Sequence, residues 1–174
     1  MNSKKWPIII VLLLPVICFG CGYHFSPGGE NIDQNIKTVF VENISNLTSE
    51  ATLENYIRNA FINEFRKGKR FDLAKSRKTA DALLTGSINK YNITHLAYSK
   101  TDIAKKDRVN VSIEVALKNT RNDEVIWINR NFTWREDFTV DNNPNKTEIN
   151  KKHAIKKLST NMAEKVYRSI ISGF

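Results

Sequence analysis

The stretch RVNVSIEVALKN, residues 108–119, alternates apolar and polar side chains over most of its length. Its apolar residues share one parity: Val109, Val111, Ile113, Val115 and Leu117. The intervening positions 110, 112, 114 and 118 are polar. Successive side chains of a strand point to opposite faces, so this alternation predicts one buried face and one solvated face. The fold should therefore contain a sheet that is covered on one side.

Segments before and after this stretch extend the predicted sheet. Asn122 and Asp123 favour a turn, so residues 124–137 are expected to return as the hairpin partner of the first strand. Residues 36–43, IKTVFVEN, are rich in β-branched and aromatic side chains. This composition predicts a further strand near the start of the domain.

Residues 80–99 predict a second long strand that lies upstream of the first. Leu84, Gly86 and Ile88 occupy even positions, whereas Tyr91 and Ile93 occupy odd positions, so in a regular strand the two groups would lie on opposite faces. One extra residue in a strand restores a common face, because it shifts the alternation by one position. We therefore expect a β-bulge between the two groups.

Residues 48–67 have the period of a helix. Apolar residues recur every four positions, at Leu53, Ile57, Phe61 and Phe65. Thr48 or Ser49 is expected to cap the N-terminus, and Gly68 lies where a C-cap glycine is common. The four apolar side chains should form the core face of this helix.

A second helix is predicted from Asn145 to about Ser172. Its apolar stripe consists of Ile155, Leu158, Met162, Val166 and Ile170. Asn145 and Glu148 are expected to form a capping pair at its N-terminus. The helix follows a loop that contains Asn142, Asn143 and Pro144.

The order of elements is strand, helix, three strands, helix. This order predicts an α+β fold, a two-layer sandwich in which two amphipathic helices pack on one face of a roughly four-stranded sheet. The length suits a single domain, expected at residues 21–174, of which 21–35 are a polar lead-in. We find no internal repeat.

The N-terminus has the organisation of a secretory signal over residues 1–20. Lys4 and Lys5 precede a short apolar run that ends at Gly20, directly before Cys21. A redox or zinc role for the Cys18–Cys21 pair would need a βαβ pattern or further ligands. The favoured prediction is a bacterial lipobox in which Cys21 becomes the lipid anchor. An uncleaved N-terminal anchor and a plain secreted protein remain alternatives.

The chain is basic, with a net charge of +9 that becomes +7 once Lys4 and Lys5 are removed (9 − 2). Such an excess favours an anionic partner. Export makes nucleic acid the least expected of the anions, and no nucleic-acid partner is predicted. The alternative is a soluble surface that is simply rich in lysine.

Two local clusters concentrate this charge. The first is the turn at 99–108, with Lys100, Lys105, Lys106 and Arg108. The second is the loop and first turn of the last helix, with Lys146, Lys151, Lys152, Lys156 and Lys157. On a helical wheel, Lys151 and Lys152 lie on the side of the apolar stripe. Convergent clusters would suit a phosphate-bearing polyanion, whereas each cluster alone is compatible with a solvated loop.

No pattern in the chain indicates catalysis. The three histidines, His24, His95 and His153, are far apart and share no metal-ligand spacing, and the common hydrolase, metalloprotease and nucleotide-binding motifs do not occur. We therefore predict no catalytic residue, no metal site and no cofactor. The protein is expected to bind and not to be an enzyme.

Several of these segments occur together in one known family. The order of CGYHF at 21–25, IKTVFVEN at 36–43, ADALLTGSINKY at 80–91 and EVIWINRNF at 124–132, followed by a basic C-terminal helix, resembles the lipopolysaccharide-assembly lipoprotein family LptE (RlpB). The resemblance covers essentially the whole chain. Its departure is Cys18, where a lipobox usually carries an aliphatic residue.

The resemblance implies a lipoprotein on the periplasmic face of the outer membrane, held there through N-terminal acyl chains. The family plugs the LptD β-barrel, helps it assemble and takes part in transporting lipopolysaccharide to the outer leaflet. Gly22 is compatible with sorting to the outer membrane, since Asp there is the usual retention signal. Positional matching of the family's lipopolysaccharide contacts implies Lys100, Lys105, Lys106 and Lys146.

Two other functions remain open at this point. One is an envelope lipoprotein that binds peptidoglycan or a protein and never contacts lipopolysaccharide. The other is a secreted hydrolase. Co-purification with a large β-barrel protein would separate the LptE-like function from both.

Overall fold

A computed structural model of the protein describes residues 32–96 and 105–173. The elements in chain order are β1 (Thr38–Val41), β2 (Ser45–Asn46), α1 (Leu53–Lys67), β3 (Asp72–Leu73), a 3₁₀ turn (Arg77–Thr79), β4 (Ala82–His95), β5 (Lys105–Asn119), β6 (Val125–Val140) and α2 (Pro144–Ser172). The predicted α+β class is confirmed.

The sheet is open and mixed, with the strand order β3-β1-β4-β5-β6. β1 is parallel to both β3 and β4, β2 pairs in parallel with part of β4, and β4, β5 and β6 are antiparallel. The sheet therefore has six strands, and the predicted number of about four was wrong. The two additional strands, β2 and β3, have two residues each and are too short to produce an alternating pattern in the sequence.

The predicted faces are confirmed for β5 and for β4 as far as Tyr91, whereas Ile93, which was expected on the buried face, is exposed. All five apolar residues of the alternating stretch in β5 are buried, while Ser112 and Glu114 between them are partly exposed. β4 contains the expected bulge, with the register shifting between Ile88 and Lys90. After this bulge Tyr91 lies opposite Val111, so its half-buried ring joins the core face.

Both helices pack on the face of the sheet that carries this core. The α1 stripe and the α2 stripe predicted from the sequence are buried throughout, and they form one cluster with the buried side chains of β1, β4 and β5. The two helices also pack against each other. The core therefore lies between one helical layer and one face of the sheet.

The N-terminus of α1 differs from the predicted cap. The residue before the helix is Thr52, which has a left-handed backbone (φ 67°) and forms no side-chain cap. The hydroxyl of Thr48 donates instead to Oδ1 of Asn46 at 2.8 Å, and Nδ2 of Asn46 donates to the carbonyl of Glu50 at 2.8 Å. The predicted cap at Thr48 or Ser49 is wrong because Asn46 holds these residues in a turn ahead of the helix.

Candidate functional site

Part of the predicted site lies outside the described residues. This applies to the lipid-anchor residue Cys21, to Lys100, to the signal peptide 1–20 and to most of the lead-in 21–35. The other six basic candidates are described. They lie where β5 begins and α2 begins.

This end of the molecule brings the two predicted basic clusters together. β5 and β6 pair here, with Lys105 opposite Val140 and Lys106 opposite Thr139. Asn150 of α2 donates from Nδ2 to the carbonyl oxygen of Thr139 at 2.9 Å. That hydrogen bond holds the first turns of α2 against the end of β6, so both clusters occupy one end of the fold.

The N-terminus of α2 is fixed by local hydrogen bonds. Asn143 is the cap, and its Oδ1 accepts from the N–H of Asn145 at 2.9 Å, while Pro144 occupies the first turn. Thr147 donates from its hydroxyl to the carbonyl of Asp141 at 3.0 Å and accepts from the N–H of Asp141 at 2.9 Å. The predicted capping role of Asn145 is therefore wrong, because Asn143 supplies the cap.

Lys151 points into the fold at this end. Its Nζ lies 3.4 Å from Oε1 of Glu50 and 3.1 Å from Oε2 of Glu148, and its side chain is 18% exposed. Burial acts to lower the pKa of Lys151, but the two carboxylates outweigh it and raise the pKa above its ordinary value. Lys152, in contrast, is 60% exposed and 4.0 Å from Glu148. Only Lys151 of this pair is held in an internal cluster.

The hydroxyl of Tyr91 belongs to the same internal cluster. It is buried and has no hydrogen-bond partner among the described residues. Burial raises the pKa of Tyr91 well above its usual range, and the nearby charge of Glu50 adds to this shift. Tyr91 therefore stays neutral, and Lys151 compensates the carboxylates beside it.

Arg108 is bound on the other face of the sheet. Its Nε and Nη2 donate to the two carboxylate oxygens of Asp137 at 2.6 and 3.0 Å. This bidentate pair lowers the pKa of the Asp137 carboxyl and raises the pKa of Arg108. Much of the hydrogen-bonding capacity of Arg108 is thus already used within the protein.

The remaining cations at this end are more available to a ligand. Lys105, Lys106 and Lys146 are exposed, and none of them lies within ion-pair distance of a described carboxylate. Separate lysine side chains of this kind act as mobile point charges toward phosphate groups. Asp137, which is bound by Arg108, is also close enough for Lys106 to help lower its pKa, so within the described residues the charges of Lys105 and Lys146 are the least compensated of the predicted set.

A cleft of about 340 Å³ lies beside Lys106. Its lining includes Asn150, His153 and Lys157 of α2, together with Glu136, Asp137 and the buried Phe138 of β6. Glu136 is the ion-pair partner of Lys157, at 2.6 Å. Sequence analysis placed Lys157 in the second basic cluster, but it selected none of these three α2 residues as a site residue. Their spacing of three and four positions places them on one side of a helix, which is the signal that would have found them.

The described residues provide neither a metal cluster nor a membrane-spanning helix. No three His, Cys, Asp or Glu side chains are grouped to hold a metal ion within 32–96 and 105–173. In the same part of the chain, neither helix has an apolar stretch long enough to cross a bilayer.

The fold and the basic end define the class of protein as a small α+β domain with a cationic surface. A family model, LptE, described as lipopolysaccharide-assembly, matches residues 36–170. This match covers most of the chain, and the protein therefore belongs to the LptE family. A search of curated proteins found no significant match.

Solved structures show the same fold at low sequence identity. Protein XCC0632 from Xanthomonas campestris has a TM-score of 0.54 at 9% identity, over 79% of this chain and 85% of that one. The uncharacterized lipoprotein B from Nitrosomonas europaea has a TM-score of 0.50 at 9% identity, over 79% and 84%. The hypothetical protein CT253 from Chlamydia trachomatis has a TM-score of 0.51 at 9% identity, over 79% and 99%. These likenesses concern the fold alone.

Proposed function

We propose that this protein is an outer-membrane lipoprotein that seats in an LptD-like β-barrel and takes part in transporting lipopolysaccharide to the outer leaflet. The observation that carries the proposal is the LptE family match over residues 36–170. The family is one of non-enzymatic lipoproteins, so the protein would act by binding. Its rigid two-layer core would serve as the plug.

The basic end of the fold is the proposed contact for lipopolysaccharide. Lys105, Lys106 and Lys146 are exposed, and no described carboxylate lies within ion-pair distance of them, which suits several phosphate groups on one ligand. Lys100 belongs to the same turn in sequence and is included in the proposal. Three further candidates have carboxylate neighbours: Arg108, Lys151 and Lys152. Their positive charge is partly neutralised, so they would attract the phosphate groups less strongly. Exposed point charges bind a ligand reversibly, as a transport step requires.

The proposed anchor is an acylated Cys21 that becomes the first residue after removal of the signal peptide 1–20. Each buried methylene contributes about 0.8 kcal/mol, so several acyl chains together hold a protein firmly on a bilayer. Residues 21–35 would form the tether and the remaining chain a single periplasmic domain. This arrangement places the domain on the inner side of the outer membrane.

Co-purification tests the barrel partnership. The tagged full chain is expressed in its host, extracted in mild detergent and isolated, and its partners are identified by mass spectrometry. We expect a large outer-membrane β-barrel protein in stable complex with it. Recovery of the folded, membrane-bound chain without any such barrel would contradict the proposed plug function and favour a lipoprotein of another kind.

Substitution of the two cysteines tests the anchor. Cys21→Ala should leave an unprocessed precursor or release the domain from the membrane, whereas the matched control Cys18→Ala should be processed normally. Mass spectrometry of the mature N-terminus reports the acyl chains directly. Normal size and normal membrane retention of the Cys21→Ala chain would contradict the lipoprotein assignment.

A further inference from the structure

The sheet has a second face, on the side away from the two helices. Both helices pack on the core face, where alternate residues of β5 are buried. The residues between them point to the other side, because successive side chains of a strand alternate. Their partners on the neighbouring strands share that side, so Asn110 lies beside Asn92 of β4 and Ser112 lies beside Thr133 of β6. This side of β4, β5 and β6 is here called the open face.

The centre of the open face is polar but carries no charge. Five short side chains from three strands form this neutral patch: Asn92, Thr94, Asn110, Ser112 and Thr133. Nδ2 of Asn110 and Nδ2 of Asn92 donate to the hydroxyl of Thr94 at 3.1 and 3.3 Å, and the hydroxyls of Ser112 and Thr133 are 2.8 Å apart. All five side chains are at least partly exposed.

Charged side chains lie around the neutral patch and not within it. On the side of the basic end, Arg108 and Asp137 neutralise each other through their bidentate pair. The other charged residues of the open face next to the patch are Lys90, Glu114 and Arg135. The helical layer is different, since α2 alone has seven lysine and arginine side chains and two glutamates.

This difference determines which surface can lose its water at a contact. A lysine ammonium group is strongly hydrated, and burying it without a partner is costly. Hydroxyl and amide groups lose much less, because they exchange hydrogen bonds with water for hydrogen bonds with a polar partner. The amides of Asn92 and Asn110 keep further donor and acceptor capacity after their bonds to Thr94. The open face is therefore suited to contact a polar protein surface.

The open face is also large enough for a stable contact. β4, β5 and β6 have 14, 15 and 16 residues. At about 3.4 Å per residue and about 4.8 Å between strands, these three strands cover about 50 Å by about 14 Å, which is about 700 Å². A stable protein–protein interface buries about 800 Å² on each partner. One continuous face of the sheet thus comes close to the area that such an interface needs.

We propose that the open face, centred on the neutral patch, is the surface through which the domain contacts the inner wall of the LptD-like β-barrel. This inference rests on the proposed plug function and specifies its contact surface. The interior of a transmembrane barrel is polar, because lumen-facing and lipid-facing residues alternate along each strand. Side chains of that wall can exchange hydrogen bonds with the amides and hydroxyls of the neutral patch. The charged outer surface of the helices then stays in water.

A charge placed in the neutral patch tests this contact. In Ser112→Lys the new ammonium group has Lys90 and Thr133 directly opposite it, so no carboxylate at those positions can pair with it. The tagged full chain is isolated from its host in mild detergent, and the barrel protein recovered with it is quantified. We expect recovery to fall by about tenfold, because the contact would bury an unpaired charge.

Two controls separate this effect from a change in shape or in net charge. Ser112→Thr keeps a neutral hydroxyl at the same position and should recover the barrel like the wild type. Thr160→Lys adds the same charge on the exposed side of α2 and should also leave recovery unchanged. Wild-type recovery by the folded Ser112→Lys chain, or an equal loss in the Thr160→Lys chain, would overturn the open face as the contact.

A charge of the opposite sign provides a second test in case Ser112→Lys does not fold. Asn92→Asp keeps the shape of the side chain and places a carboxylate in the neutral patch. It should also lower recovery, since the cost arises from lost hydration and not from the sign of the charge. The matched control is Asn59→Asp on the exposed side of α1. Equal recovery by these two variants would contradict the inference, and thermal unfolding of each chain checks that it is folded.

The wild-type chain distinguishes failure of this inference from failure of the proposed function. If the wild type recovers no barrel protein, the plug function fails and the inference fails with it. If the wild type and all of the folded variants recover the barrel equally, only the proposed contact surface is wrong.

Discussion

The hydroxyl of Tyr167 lies directly against Gly68 and accepts a hydrogen bond from the backbone N–H of Arg70 at 3.3 Å. The ring of Tyr167 also meets that of Phe65 edge-on, with 5.0 Å between the centroids. One side chain of α2 thus packs against the end of α1 and the segment that leads into β3. The glycine at the C-terminus of α1 is required by this close approach, because its backbone is extended (φ −68°) and not left-handed.

Gly68→Ala should therefore destabilise the fold. A Cβ at this position would overlap the hydroxyl and ring of Tyr167, and overpacking of this kind costs about 1–3 kcal/mol in the free energy of unfolding. Adding Tyr167→Leu removes the hydroxyl and the ring atoms that the Cβ would overlap, so the double variant should lose less stability than the sum of the two single variants. Thermal or urea unfolding measures all three. Strict additivity would contradict the proposed overlap.

The two faces of β5 make a second prediction. Ile113 is buried in the core, whereas Ser112 lies on the exposed face, where its hydroxyl is 2.8 Å from that of Thr133. Ile113→Ala should cost about 2–5 kcal/mol of unfolding free energy through lost contacts and a cavity. Ser112→Ala should cost little, because water replaces an exposed hydrogen bond. Equal destabilisation by the two substitutions would contradict the assigned faces.

The periodicity of apolar residues correctly predicted the strands and helices that are long enough to have a period. The β5 alternation and the two helical stripes extend over many residues, so burial leaves a regular signal in the sequence. β2 and β3 leave none, because two residues have no period. Helix caps were also missed, since the choice among neighbouring polar residues depends on competing hydrogen bonds, such as that between Thr48 and Asn46.

The sequence predicted which basic residues form the candidate site, but it did not predict their ion-pair partners. Both basic clusters are plain in the sequence, and their convergence follows from the hairpin and from α2 returning along β6. The sequence does not show which of these lysines has a carboxylate partner. Glu50, one partner of Lys151, lies about a hundred residues earlier in the chain. Asp72 likewise lies beside Thr38 only through the parallel pairing of β1 with β3, which no local pattern in the sequence indicates.

Asp81 carries a prediction on the pH dependence of stability. Its carboxylate accepts hydrogen bonds from the N–H of Lys37 at 3.1 Å and from the N–H and hydroxyl of Thr38 at 2.9 and 2.8 Å. These bonds, led by that from the Thr38 N–H, hold the pKa of Asp81 below its ordinary 3.8. A carboxyl with a lowered pKa stabilises the fold above its unfolded pKa, and this stabilisation is lost as the pH falls through the folded value.

Asp81→Asn should lower the unfolding free energy at neutral pH by about 1.5–3 kcal/mol, the range for a hydrogen bond to a charged group. It should also flatten the loss of stability between neutral pH and the region below the ordinary carboxyl pKa of 3.8. Urea unfolding over this pH range measures both effects. The control is Asp72→Asn, which removes an exposed carboxylate of β3 and leaves the hydrogen bonds of Asp81 and the β1–β4 contact intact. An unchanged pH profile in the Asp81 variant would contradict the assignment.

The last prediction concerns the lysines at the basic end. Lys105→Gln, Lys106→Gln and Lys146→Gln together should weaken binding of lipopolysaccharide without lowering stability. Exposed charges contribute only about 0–1 kcal/mol per surface pair to folding, and these three have no described carboxylate within ion-pair distance. Several convergent charges matter far more to a multiply phosphorylated ligand.

Salt dependence distinguishes a specific site from a generally basic surface. Raising the ionic strength should weaken binding by the wild-type chain more than binding by the triple variant, since screening acts on charges that the variant lacks. The measurement is a titration of the detergent-solubilised full chain with lipopolysaccharide at two ionic strengths. The variant with Lys90, Lys118 and Lys165 changed to Gln has the same net charge and should bind like the wild type. Equal loss of affinity in both triple variants would mean that net charge, and not the convergence of β5 with α2, attracts the ligand.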